Sequence, residues 1–167
     1  LSRIEVFRGT GPVSGTSYTI KMGCKKDGTI TAAHANMVFQ SGPYAGSMYF
    51  NAPNAMFTRY DIKNVDIVAY EVLSNRQKVA SFRAPCVPQI VFGVEGVVDE
   101  MARKIEMDPI DFRMKNACED GHTTIYGDTW GPIGFIETLK QAKESDHYKT
   151  PVKAGEGRGI STGFWFN

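Results

Sequence analysis

The sequence predicts an α+β fold, in which an antiparallel sheet that contains a hairpin carries packed helices. Apolar and polar residues alternate over residues 18–24, which is the period of a half-buried strand. The Asp27-Gly28 pair that follows is a strong hairpin-turn signal, because both residues tolerate positive φ. After Pro88 the apolar residues recur at helical spacing instead. This change of period predicts a sheet between about Arg3 and Ala80 and helices beyond it.

The returning strand of the hairpin is expected over residues 29–39. Its apolar face changes sides near His34, where a β-bulge would fit. We expect His34 to be a packed strand residue and not a metal ligand. A further strand is predicted over residues 65–72, which are rich in β-branched side chains. Between these strands, Pro53 argues against an uninterrupted helix.

Three helices are predicted in the second half of the chain. The longest follows Pro88, with one apolar stripe and with its charged residues off that stripe. The adjacent Asp99 and Glu100 are interpreted as a solvated face and not as a catalytic pair. A short helix begins at Pro109 with Asp108 as its cap, and another lies near residues 134–145. The off-stripe charged residues are Glu95, Asp99, Glu100, Arg103 and Lys104.

Composition excludes several classes of function. The net charge of +1 gives no argument for binding nucleic acid or an anionic membrane, and no apolar run is long enough to span a bilayer. Three cysteines at wide spacing, Cys24, Cys86 and Cys118, fit neither a disulfide framework nor a zinc site. The three histidines are equally dispersed, so no protein-ligated metal is indicated. Reduced cysteines in a cytoplasmic protein are the expectation.

The local motif best suited to a binding site is Phe-Arg-Ala-Pro-Cys-Val-Pro-Gln, residues 82–89. It connects a strand to the start of the best helix, where unpaired backbone N–H groups can bind an anion or a metal-bound oxygen. Arg83 adds a cation, and Pro85 and Pro88 stiffen the connection. On these residues alone, the simpler interpretation is a rigid connection whose arginine caps a carboxylate. Cys86 has no histidine close in sequence, so a thiol nucleophile is not predicted.

The region of residues 82–116 resembles a known family. Its pattern, together with weaker matches at residues 2–5, 26–32, 42–46 and 157–160, is similar to an internal part of the molybdopterin-binding large subunit of xanthine oxidase/aldehyde oxidase/carbon monoxide dehydrogenase-type hydroxylases. The matching residues are Phe82-Arg83-Ala84, Pro88-Gln89, Glu95, Asp99-Glu100, Met107-Asp108-Pro109 and Phe112-Arg113-Met114-Lys115-Asn116.

The resemblance implies a molybdopterin-type molybdenum cofactor in the full-length protein. In the family the main chain at the arginine lies against the metal, which assigns Phe82, Arg83 and Ala84 to cofactor binding. Electrons would pass to iron–sulfur and flavin subunits or domains. The family's glycine-rich cofactor segment and its general-base glutamate are not in this sequence, and we expect both to lie outside it. No catalytic residue and no bound cofactor are therefore expected for this chain alone, which should be inactive.

Two departures from the family concern the substrate pocket. Pro85 stands where xanthine oxidases carry a substrate-stacking aromatic residue, and Asn51 lies nearest to their substrate-orienting arginine. A purine is therefore not favoured, while an aldehyde, an aromatic heterocycle, an aryl thioester and carbon monoxide stay open. The alternative is a non-catalytic binding or structural module that keeps the fold; the flanking sequence would distinguish the two.

The resemblance also divides the chain. Residues 1–120 are expected to form the C-terminal part of a first molybdopterin-binding lobe. Residues 121–167 are expected to form a linker, a helix and the start of a second lobe, with a strand beginning over residues 159–167.

Overall fold

The computed structural model describes residues 1–165, and it confirms the α+β class. The expected strand at the end of the chain is not formed in residues 159–165, and its last two positions lie outside the described residues. None of the helices in residues 1–165 combines the length and the apolar character that a bilayer-spanning segment needs. The elements in chain order are α1 (Arg3–Gly9), β1 (Thr16–Cys24), β2 (Ile30–Gly42), α2 (Asn51–Met56), β3 (Val65–Leu73), α3 (Val87–Lys104), α4 (Pro109–Asn116), α5 (Phe135–Glu144) and α6 (Asp146–Lys149).

The sheet has the order β1-β2-β3 and mixes two kinds of pairing. β1 and β2 form the predicted antiparallel hairpin, closed by a 2.9 Å bond from Lys25 N to Thr29 O with Gly28 at φ +88°. β3 pairs with β2 in parallel. A parallel pair needs a crossover connection, and here the chain passes through α2 between β2 and β3.

The β-bulge lies earlier in β2 than the sequence suggested. Gly23 pairs with Ala32 and Cys24 pairs with Ile30, so Thr31 is the extra residue. The bulge turns both Ile30 and Ala33 into the core, where they are buried. His34, where the bulge was expected, pairs in regular register with Lys21. The predicted change of face is therefore present, but it is completed before His34.

The core lies between the inner face of the sheet and α3. Ile90, Val94 and Val98 of α3 are fully buried against strand residues such as Met37 and Phe39. Gly93 lets the helix approach this closely, because a Cβ there would lie 2.5 Å from a ring carbon of Tyr18. The apolar stripe predicted for this helix is thus the surface that joins it to the sheet.

Three short helices were not predicted, namely α1, α2 and the single turn α6. α1 falls in the stretch expected to be sheet, and it is capped by Ser2 and Glu5, whose side chains each accept the other's backbone N–H. This capping box was readable as Ser-x-x-Glu. α2 contains Pro53, but in its first turn, where the missing N–H removes no helical hydrogen bond. Pro53 is therefore compatible with α2, because it lies in the first turn of the helix.

The α4 helix is built as predicted and is tied to the hairpin. Asp108 Oδ1 accepts hydrogen bonds from the N–H groups of Ile110 and Asp111, at 2.8 and 3.0 Å. At the other end of α4, the buried Asn116 amide accepts from Ile30 N at 2.8 Å and donates to Gly28 O at 2.9 Å. Asn116 thereby satisfies two backbone groups at the closed end of the hairpin.

The position of Glu95 in α3 differs from the prediction. Although it was grouped with the charged residues off the apolar stripe, Glu95 is only 3% exposed. Each of its carboxylate oxygens accepts two hydrogen bonds, so the buried charge is fully solvated by the protein. The four donors are Arg59 Nη2 (2.6 Å), Tyr60 Oη (2.7 Å), Arg113 Nε (2.9 Å) and Thr162 N (2.8 Å).

The charges around Glu95 are balanced. Arg113 forms a second ion pair with Asp99 at 2.8 Å, so Asp99 is only partly the solvated residue that was predicted. Burial alone raises the pKa of the Glu95 carboxyl, but Arg59 and Arg113 outweigh it and leave that pKa below its ordinary value. Burial, together with the Glu95 carboxylate, raises the pKa of Tyr60 to about 12. Glu95 is therefore the ionised centre of a neutral buried cluster.

We predict that Glu95→Gln lowers the free energy of unfolding at pH 7 by roughly 3–5 kcal/mol, because two buried arginines lose their counter-charge. The folded-state pKa of Glu95 is lowered, so its stabilisation is present above the unfolded pKa of about 4.3 and is lost as the pH falls towards the folded pKa. The difference between the two proteins should therefore shrink below about pH 4. Urea unfolding across this pH range measures it.

The matched control is Glu100→Gln, which removes an exposed carboxylate from the same helix. It should change the stability by no more than about 0.5 kcal/mol at any pH. A Glu95→Gln protein as stable as the Glu100→Gln protein at pH 7 would contradict the role assigned to the cluster.

Candidate functional site

Residues 82–86, the Arg83 turn, join the sheet region to α3 in an unusual backbone conformation. Ala84 has φ +55° and Cys86, the residue before the first turn of α3, has φ +67°. Positive φ is uncommon away from glycine because the Cβ then crowds the backbone. Two such residues within three positions persist only where their surroundings hold them, and such strain clusters at binding sites. Phe82 and Arg83 are exposed, whereas Cys86 is buried.

Two hydrogen bonds hold the Arg83 turn from within the chain. Val87 N donates to Ala84 O at 3.1 Å, and Asn51 Nδ2 of α2 donates to Pro85 O at 3.4 Å. The structure thus brings together Asn51 and Pro85, the two residues for which the family resemblance implies a place at the substrate pocket. Asn51 is 7% exposed, so its amide lies beneath the turn and not on the surface.

The segment before the Arg83 turn is enclosed between two glycines. A Cβ on Gly11 would lie 2.0 Å from Lys78 O, and a Cβ on Gly42 would lie 2.6 Å from Lys78 Cα. Hydrogen bonds run along both sides, from Val79 N to Ser41 O at 3.2 Å and from Ala80 N to the carbonyl of residue 12 at 2.9 Å. The backbone that leads into the turn therefore has a fixed path that only glycine neighbours permit.

The Arg83 turn presents unpaired donors. Throughout residues 1–165 the backbone N–H groups of Arg83 and Ala84 donate no hydrogen bond to the chain. In the same part of the chain the Arg83 guanidinium makes no ion pair, so the simpler interpretation, in which it caps a carboxylate, is not what the structure shows. Two amides and a cation are thus available to an anionic or oxygen-rich ligand.

A small cavity lies behind the turn, where Ser14, Ser47 and Cys86 meet. Burial, and secondly the nearby Glu71 carboxylate, raise the pKa of the Cys86 thiol to about 11. The thiol is therefore protonated at neutral pH, in agreement with the expectation that it is no nucleophile. Glu71 Oε1 also accepts the N–H groups of Gly46 and Ser47, which fixes the loop that closes this cavity.

The Arg83 turn fits a bound group whose metal ligands come from elsewhere. Among the described residues no three His, Cys, Asp or Glu side chains are grouped so as to hold a metal ion. Cys24, Cys86 and Cys118 are free and lie apart. What the turn offers is instead main-chain donors in a fixed conformation beside an exposed guanidinium. That set suits the polar periphery of a cofactor.

Comparison with known proteins points to one family. Residues 1–117 match the family model described as the molybdopterin cofactor-binding domain. The chain is 31% identical over 166 residues to the aldehyde oxidoreductase of Megalodesulfovibrio gigas, covering 93% of this chain and 18% of that protein. It is 32% identical over 140 residues to the nicotinate dehydrogenase large molybdopterin subunit of Eubacterium barkeri, covering 79% and 33%.

The fold agrees with these matches. The aldehyde oxidoreductase structure from Desulfovibrio gigas superimposes with a TM-score of 0.74 at 27% identity, over 80% of this chain and 15% of that one. The chain therefore spans between 18% and 33% of the length of the two relatives named above. The family model covers the sheet, the Arg83 turn, α3 and α4. From this match and this fold, the chain belongs to the molybdopterin cofactor-binding domain family, within the large subunits of xanthine oxidase/aldehyde oxidase/carbon monoxide dehydrogenase-type hydroxylases.

Proposed function

We propose that this chain supplies part of the cofactor pocket of a molybdenum-dependent hydroxylase, with Phe82, Arg83 and Ala84 as its cofactor-binding residues. The observation that carries the proposal is the Arg83 turn itself. Its left-handed backbone at Ala84 and Cys86 is strained, and the amides of Arg83 and Ala84 have no hydrogen-bond partner among the described residues. Strain that is held in place together with unused donors is what a preformed binding surface requires.

The contribution of these residues is positioning and electrostatics. The amides of Arg83 and Ala84 would donate hydrogen bonds to acceptor atoms of the bound group, and the Arg83 guanidinium would hold a fixed positive charge beside it. Because the turn is already ordered, little reorganisation is needed when the group binds. When bound, the molybdenum cofactor supplies the redox chemistry and accepts electrons from the substrate.

The substrate pocket would border the same turn through Pro85, with the buried Asn51 supporting Pro85 from beneath. Proline has no aromatic face on which a purine ring can stack, so a smaller or differently held substrate is favoured. The candidates are an aldehyde, an aromatic heterocycle, an aryl thioester and carbon monoxide. The two relatives named above are an aldehyde oxidoreductase and a nicotinate dehydrogenase, and nicotinate is an aromatic heterocycle. Their names support the first two classes.

The remaining parts of the enzyme would come from outside this chain. We assign no catalytic residue within it, and we place the general base and the electron-accepting iron–sulfur and flavin centres in other segments or subunits. Residues 1–120 would complete a first molybdopterin-binding lobe, and residues 121–167 would lead into a second. The family match, which ends at residue 117, supports a boundary near that point.

If the turn acts through its backbone, changing its conformation should be more harmful than changing its side chains. Proline at position 84 cannot adopt the φ of +55° that Ala84 has, and it also removes an N–H donor and restricts Arg83 to extended conformations. We predict that Ala84→Pro lowers molybdenum content and turnover of the full-length protein roughly tenfold or more. Ala84→Ser should stay close to the parent protein.

Two comparisons make this test specific. Arg83→Ala removes the guanidinium but keeps the backbone, and it should retain more molybdenum than Ala84→Pro. Thermal unfolding of each variant shows whether the fold survives. Equal, near-normal activity of the Ala84→Pro and Ala84→Ser proteins would remove the turn from the cofactor pocket.

We also predict that the 167-residue chain alone neither binds molybdopterin tightly nor turns over substrate. The turn offers donors from one segment, whereas a cofactor is held by preorganised groups from several. The test is to purify the chain from a host that makes molybdopterin and to measure its molybdenum content by mass spectrometry. Near-stoichiometric molybdenum in the purified chain would refute the prediction.

A further inference from the structure

We infer that Asn51 is a positioning residue for the Arg83 turn, acting through its hydrogen bond to the Pro85 carbonyl and not on substrate directly. Its effect on the cofactor rests on the proposed function, whereas its effect on the conformation of the turn does not. The inference gives Asn51 a narrower role than that of a residue that borders the substrate pocket.

The Asn51 side chain donates a hydrogen bond to the Arg83 turn, at the Pro85 carbonyl. Over residues 1–165 no other side chain hydrogen-bonds to residues 82–86; the remaining bond, from Val87 N to Ala84 O, is made by the main chain. Pro85 has no N–H, so its carbonyl is the polar group by which that residue can be held. Asn51 reaches it from below, across 3.4 Å, with its side chain buried.

The Pro85 carbonyl is where a hydrogen bond controls the conformation of the turn. Rotation about the bonds on either side of the Pro85–Cys86 peptide, including φ of Cys86, swings that oxygen. A donor fixed beneath it therefore favours the orientation in which Cys86 has φ +67°. Without such a donor, the ordinary preference of non-glycine residues for negative φ would act unopposed at this position.

Asn51 can serve as a fixed donor because its own backbone is held firmly. Asn51 N donates to Met48 O at 3.1 Å as α2 begins. Ala52, Ala55 and Met56 of the same helix are fully buried. A side chain whose backbone is fixed in this way loses little conformational freedom when it binds the carbonyl. The small entropy cost favours the hydrogen bond between Asn51 and Pro85.

Hydrogen–deuterium exchange in the full-length protein tests the conformational part. The reporter is the Val87 amide, within the peptide covering residues 82–90, because its bond to Ala84 O closes the turn. Asn51→Ala should speed its exchange about fivefold, the factor expected from one hydrogen bond of typical net strength. Asn51→Asp, which keeps the volume but loses the donor, should do the same. Asn54→Ala, on the same helix, is the matched control and should leave exchange unchanged.

Rescue by glycine separates positioning from a merely structural role. Glycine adopts positive φ without a Cβ penalty. Adding Cys86→Gly to Asn51→Ala should therefore return molybdenum content towards that of the parent protein, because the strained φ that the Asn51 hydrogen bond supports is that of Cys86. A general packing defect at Asn51 would not respond to glycine at position 86.

The outcomes are distinguishable. Unchanged Val87 exchange in both Asn51 variants, an equal rise in Asn54→Ala, or molybdenum loss that glycine does not reverse would each overturn the inference. Faster exchange with normal molybdenum content would uphold the positioning of the turn by Asn51 and overturn the proposed function instead.

Discussion

The buried carboxylate of Glu95 is the interaction on which the rest of the structure depends. It joins α3 to the segment after α2 through Arg59, to α4 through Arg113, and to the segment near residue 162 through a backbone N–H. A charge so deeply buried is tolerable only because two guanidiniums and four hydrogen bonds meet it. The donors come from three segments of the chain: Arg59 and Tyr60 after α2, Arg113 in α4, and Thr162. The carboxylate therefore fixes the orientation of α3, and α3 in turn fixes where the Arg83 turn lies.

The Arg83 turn is held from three directions. Gly11 and Gly42 enclose the backbone before it, the first turn of α3 follows it, and Asn51 supports it from beneath. Left-handed backbone at non-glycine positions would relax if any of these supports were flexible. The strain is thus held by rigid neighbours, and within residues 1–165 the amides of Arg83 and Ala84 have no hydrogen-bond partner. A cofactor that carries its own reactive metal needs such a surface more than it needs reactive side chains.

The elements that the sequence predicted well are those with local signals. The Asp27-Gly28 hairpin, the apolar stripe of α3 and the Asp108 cap of α4 are each encoded within a few residues. Burial of Glu95 was not predicted because its partners lie 18 to 67 residues away along the chain. A charged residue off the apolar stripe of a helix is ordinarily exposed to solvent. The resemblance selected the Arg83 turn, but its conformation was not readable, since neither Ala84 nor Cys86 is a glycine. The α1 capping box, by contrast, was readable and was overlooked.

The most direct test of the proposed site is crystallography of the full-length protein loaded with its cofactor, with diffraction data collected at the molybdenum absorption edge. The anomalous difference peak locates the metal without reference to any assumed position. We expect the main chain of Arg83 and Ala84 to be the part of residues 1–165 nearest to that peak, with their N–H groups directed at the cofactor. A peak nearest to another segment of this chain, with the Arg83 turn facing solvent, would contradict the assignment.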